Sequence, residues 1–89
     1  MASVSFTENL RALVECPSRE VDAATVAEAL DAVFTEFPKL RGYVVDERGA
    51  LREHMIVFLD GVPIEDRVGL SDVIKPTSAI YVMQALSGG

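Results

Sequence analysis

"MIVFLDGVPI", Met55–Ile64, reads as a β-hairpin. Met55–Leu59 is an unbroken apolar run, the pattern of a strand inside a sheet rather than at its rim. Asp60-Gly61 suits a type I′ turn, whose two central residues both take positive φ. Pro63 has no N–H to give to a ladder, which limits the returning strand to a sheet edge. Downstream, "KPTS" (Lys75–Ser78) is a turn. "IYVMQAL" (Ile80–Leu86) is the last strand, with Ile80, Val82 and Gln84 alternating against Tyr81, Met83 and Ala85.

Upstream, "SVSF" (Ser3–Phe6) alternates and puts Val4 and Phe6 on one face of a first strand. Thr7–Ser18 reads as irregular, and "REVDA" (Arg19–Ala23) can pair back onto the first strand. Thr25-Val26-Ala27-Glu28 fits a capping box. Apolar residues then recur at Val26, Leu30, Val33, Phe34 and Phe37, one helical face. Pro38 ends that helix, because the residue before a proline leaves the α region. Between Pro38 and His54 the pattern is weak: "YVVD" (Tyr43–Asp46) reads as a short strand and "ERGA" (Glu47–Ala50) as a turn. The order is strand, strand, helix, irregular segment, strand, short strand, strand. One helix covers one face of a four- or five-stranded sheet, so the class is α+β.

The other face of that sheet raises a question of function. If Met55, Val57 and Leu59 face the helix, Ile56 and Phe58 do not. In the last strand, Ile80 and Val82 likewise oppose Tyr81 and Met83. If the two strands are neighbours, either choice leaves large apolar side chains together on the far face. Such a patch usually marks a protein-binding site. The alternative is that residues 38–54 fold over it and make a second small core.

The composition narrows the class further. With 89 residues, 49% apolar and 25% charged, the chain has the content of one globular domain, able to bury roughly 60–65% of its unfolded surface. No apolar run reaches the ~18 residues of a membrane span, and no basic segment followed by an apolar stretch opens the chain. A lone cysteine, Cys16, forms no internal disulfide. These features lead us to expect a cytoplasmic protein. The net charge of −6 repels phosphate backbones and argues against nucleic-acid binding. It suits steering toward a basic partner surface, and equally suits simple solubility.

The sequence ends "ALSGG", Ala85–Gly89. Two glycines add nothing to a strand, so either the tail is incidental or its carboxylate is the working part. With "TVAEAL", "VFLDG" and "IYVMQAL", this ending resembles the ubiquitin-like sulfur carriers of the MoaD/ThiS/CysO type over nearly the whole chain. The resemblance implies a β-grasp domain over residues 1–85 and a free diglycine tail over 86–89. Its mixed sheet would wrap one main helix, with the last strand central. "GALREHMIVFLDG" (Gly49–Gly61) is closer to the longer CysO-like group than to the shorter ThiS proteins. Two positions depart from the family pattern. Lys75–Ser78 replaces a Gly-Asp turn, and Gln84-Ala85 replaces the Pro-Pro of many MoaD proteins.

The resemblance also implies a mechanism. An E1-like adenylyltransferase of the MoeB/ThiF type, using ATP, would adenylate Gly89. The adenylate would become a thiocarboxylate, and a sulfur-accepting synthase would take the sulfur for molybdopterin, thiamine, cysteine or a more specialised product. Gly88 and Gly89 would thread the partners' channels. Met83, Phe58, Tyr81 and Leu86 would form the docking surface. The carrier would be a co-substrate, not an enzyme, with no cofactor of its own and no processing protease needed.

The chemistry agrees with these roles. An α-carboxyl titrates near ~3.5, so it is ionised and nucleophilic at neutral pH, though weakly. The partner must supply positioning and charge stabilisation. The rivals are a ubiquitin-like modifier conjugated through Gly89 and a plain interaction domain. Cys16 and His54, the only thiol and imidazole, read as bystanders, and nothing has metal-ligand spacing. Glu28, Asp31 and Glu36 read as a solvated helix face. Lys39 and Lys75, the only lysines, read as surface residues rather than isopeptide acceptors. No phosphate-binding glycine loop is present.

Overall fold

A computed structural model describes residues 1–8, 10 and 17–84. Five strands form one mixed sheet: β1 (Ala2–Phe6), β2 (Arg19–Val21), β3 (Met55–Leu59), β4 (Val62–Pro63) and β5 (Ala79–Gln84), in the order β2-β1-β5-β3-β4. The last strand is central. It runs parallel to β1 and antiparallel to β3. The hairpin forms as its sequence predicts: Asp60 and Gly61 have φ of 51° and 85°, and Pro63 lies on edge strand β4. The Asp60 carboxylate also accepts from the Ala79 N–H at 2.8 Å, tying the turn to the start of β5.

Helix α1 (Val26–Glu36) packs on one face through Val26, Ala29, Leu30, Val33 and Phe34. Thr25 caps it, its hydroxyl accepting from the Glu28 N–H at 3.2 Å. The return half of the capping box is displaced by one residue, with the Glu28 carboxylate accepting from the Ala24 N–H at 3.1 Å. Thr25 itself is drawn into an antiparallel bridge with Val73. The next donors, Val26 N–H and Ala27 N–H, go to the carbonyls of Asp72 and Leu70. Loop 65–74 thus plugs the helix N-terminus, whose first N–H groups would otherwise lack partners.

That loop is organised by two carboxylates. Asp66 accepts from the N–H groups of Val68, Gly69 and Ser71 and from the Ser71 hydroxyl, and Asp72 accepts from the N–H groups of Glu65 and Asp66. The Ser71 hydroxyl, then the Gly69 and Ser71 amides, hold the Asp66 carboxyl down to about 2. Leu70, at φ 52°, turns a buried side chain inward from this loop.

Two expectations are corrected here. Pro38 does end α1, but it also opens a second helix, α2 (Pro38–Val44), from its first turn. A proline lacks only an N–H that the first turn would leave unbonded anyway, and its fixed φ suits a helix start. Tyr43 and Val44 are therefore helical, and the strand expected over Tyr43–Asp46 reduces to one bridge, Val45 to Leu51. What decides it is burial of Leu40 and Val44, one helical turn apart, both 0% exposed. The Glu47–Ala50 turn does form, closed by Asp46 accepting from the N–H groups of Arg48 and Ala50. Thr7–Ser18 lies mostly outside the described residues. Glu8 and Leu10, near its start, are helical rather than irregular.

Candidate functional site

Alternation in β3 and β5 settles which side chains share a face. Met55, Val57, Ile80 and Val82 are at most 1% exposed and lie in the core. Ile56, Phe58 and Met83 are partly exposed on the opposite face, with Tyr81 at 41%. In register, Ile56 opposes Met83 and Phe58 opposes Tyr81. The open face is therefore apolar along β3 and β5. It turns polar across β1, where Ser5 stands beside Tyr81 and Ser3 beside Ala79.

Residues 38–54 do not cover this face. Leu40, Val44, Val45 and Leu51 join the same core as the α1 stripe, so the second small core considered above does not form. Their chain stays on the helical side because these apolar side chains are buried in the core shared by α1 and the inner face of the sheet.

Met83, Phe58 and Tyr81 are thus gathered on one face. Met83 stands directly opposite Ile56, with Phe58 one position along the diagonal rather than beside it. Ile56 completes the patch. Its alternation with Val57 was the signal for it in the sequence. Leu86, Gly88 and Gly89 lie outside the described residues, as does the proposed division between residues 85 and 86. Gln84, at the end of β5, opposes Met55 at the start of β3, which fixes the sheet end from which the chain continues.

The remaining candidates that the structure describes are not part of this apolar patch. His54 is exposed, Cys16 lies outside the described residues, and Lys39 and Lys75 are exposed. Glu36 pairs with Arg19 at 2.9 Å, and the Arg19 hydrogen bond holds its carboxyl below the usual range. Asp31 pairs with Arg41 at 3.0 Å. Both pairs are exposed, the kind that stabilises little. Among the described residues, no three His, Cys, Asp or Glu side chains are grouped as a metal would need. No helix among them is long and apolar enough to cross a membrane.

No protein-family model matches the sequence, and a search of curated proteins finds no match. Solved structures do match. SAMP1 of Haloferax volcanii superimposes with a TM-score of 0.82 at 24% identity, over 99% of this chain and 98% of that one. A chain of the Amycolatopsis orientalis BexX/CysO complex gives 0.83 at 24% identity, over 100% of both. Urm1 of Trypanosoma brucei gives 0.70 at 20% identity, over 99% and 94%. At these identities the likeness establishes the fold, the ubiquitin-like β-grasp.

Proposed function

We propose that this chain is a ubiquitin-like carrier whose C-terminal Gly89 is the reacting group. An E1-like adenylyltransferase of the MoeB/ThiF type binds the open β3–β5 face and takes residues 86–89 into its nucleotide site. There the Gly89 carboxylate attacks the α-phosphate of ATP and pyrophosphate leaves. A sulfur nucleophile then displaces AMP, giving a thiocarboxylate that a synthase consumes. ATP is held by the partner, and the chain itself does no catalysis.

The observation that carries this reading is the apolar quartet Ile56, Phe58, Tyr81 and Met83 on a sheet face that no described element covers. Two of its members, Tyr81 and Met83, lie on the strand that leads directly into "ALSGG". Ordering a tail costs roughly 1–2 kcal/mol per residue, and docking of such a patch would offset it. The β-grasp neighbours, including a chain of the BexX/CysO complex, support a role with a partner protein.

A second reading, conjugation to other proteins through Gly89, is favoured by the structural likeness to a protein named small archaeal modifier protein 1. Both readings need the same activation. Deleting Gly89 should abolish ATP-dependent adenylation while moving the melting temperature by no more than about a degree or two, since Val82 is the last buried core residue among those described and chain ends contribute little. Adenylation at an unchanged rate would overturn both. Products then separate them: a C-terminal thiocarboxylate for the carrier, Gly-Gly remnants on lysines of other proteins for the modifier.

A further inference from the structure

The charge of this chain is −6, yet two of its arginines line one open concavity of about 620 Å³ with no carboxylate among the described residues hydrogen-bonded to either. They are Arg52 and Arg67. Arg52 Nε donates to the Gly42 carbonyl at 2.7 Å. Arg67 Nη2 donates to the Arg52 carbonyl at 2.9 Å and more weakly to that of Glu53. Both side chains are half-buried. A guanidinium carries five N–H donors, so the Nη groups of Arg52 and the Nε and Nη1 groups of Arg67 keep their hydrogen-bonding capacity. Carbonyl tethers hold the two planes in place. The Arg48 N–H and, to a lesser extent, the charge of Arg52 hold the Asp46 carboxyl below the usual range, and no such carboxylate among the described residues faces Arg67. Arg19 and Arg41 differ, since each forms an ion pair with a carboxylate.

Position gives this concavity a partner. Arg52 is three residues before Met55, and Met55 opposes Gln84, after which the chain runs into residues 85–89. Resting on the functional reading above, we propose that the Arg52–Arg67 concavity is a second docking point, which receives a carboxylate side chain of the activating enzyme beside the point where the C-terminal segment is taken up. Two features select a carboxylate. A planar guanidinium fork binds a carboxylate in bidentate fashion. Asp46 and Glu53 also line the concavity and repel a doubly charged phosphate more than a single carboxylate. Val68, 74% exposed on the Asp66-organised loop, forms an apolar rim beside Arg67. The site would fix the orientation of the docked carrier, while the apolar face supplies the area.

The test is steady-state adenylation of the full chain by its E1-like adenylyltransferase, with carrier concentration varied. Arg52→Gln/Arg67→Gln should raise KM for the carrier about tenfold or more, in line with loss of charge-assisted hydrogen bonds, and leave kcat unchanged. Arg52→Lys alone should also raise KM, because an ammonium lacks the fork. The arginine tethers could matter for folding, so Val68→Asp is the second variant. It places a carboxylate at the rim on an exposed side chain and should raise KM likewise. Val73→Asp, at a 77% exposed position that does not line the concavity, should not. Unchanged KM in both Arg52→Gln/Arg67→Gln and Val68→Asp, with Gly89 deletion still abolishing adenylation, overturns the docking point and leaves the carrier reading standing. Adenylation that survives Gly89 deletion overturns the carrier reading first.

Discussion

Val82 and Met83 are adjacent in β5 with side chains on opposite faces, so replacing each with aspartate separates folding from docking. Val82 is 0% exposed and opposes Val57, also 0% exposed, on β3. A carboxylate there is buried among apolar side chains with no partner, a penalty of several kcal/mol. Total stability for 89 residues is on the order of 4–13 kcal/mol at ~0.05–0.15 kcal/mol per residue. Val82→Asp should therefore leave little folded protein. Met83→Asp loses one cross-strand pair with Ile56, about 0.2–1 kcal/mol, and adds a poor strand former, up to about 1 kcal/mol more. The melting temperature should fall by roughly 1–15 °C, with the fold intact. Binding to the adenylyltransferase should weaken about 30-fold, as loss of an anchor worth about 2 kcal/mol implies. Thermal melts by circular dichroism and titration calorimetry measure the two effects. A folded Met83→Asp chain with unchanged affinity would refute the docking face. Wild-type stability in Val82→Asp would refute the assignment of faces.

Loop 65–74 makes a pH prediction. The Asp66 carboxyl is depressed to about 2 from an ordinary 3.8, so its contribution to stability is complete above the ordinary value and lost as pH falls through the depressed one. The urea midpoints of wild type and Asp66→Ala should keep a constant gap from neutral pH down to about 4, then converge toward about 2. A gap independent of pH would show that the contribution is not carboxylate hydrogen bonding. Thr25→Ala removes the hydroxyl cap of α1 and should cost about 1 kcal/mol, read from the urea midpoint at neutral pH. No loss would mean that loop 70–72 alone secures the helix start.

Most of the architecture was legible where local chemistry and burial agree. Asp60-Gly61 and Pro63 fixed the hairpin and its edge, because positive φ and a missing N–H are properties of single residues. Thr25 fixed the helix start for the same reason. The segment from Pro38 to Val44 was misread because proline marks both a helix stop and a helix start, and "YVVD" has strand-like composition. Only packing of Leu40 and Val44 beneath α1 decides between them, and that contact is tertiary. The open face was half legible. Alternation put Ile56 with Phe58 and Tyr81 with Met83, but their adjacency, and the course of 38–54 on the helical side, required the strand order. Arg52 and Arg67 left no signal in the sequence, since Gly42 and Glu53 meet them only in the fold. The chemistry of Gly88 and Gly89 rests on the resemblance of "SGG" and its preceding strand, not on any geometry.

The most direct test is the intact mass of the chain purified from its own host under non-reducing, thiol-free conditions. A carrier accumulates a species about 16 Da heavier, oxygen replaced by sulfur, and fragmentation should place that increment on Gly89. If Gly89 carries neither sulfur nor an isopeptide link when the activating enzyme and a sulfur source are present, the C-terminal carboxyl is not the reacting group and the account fails.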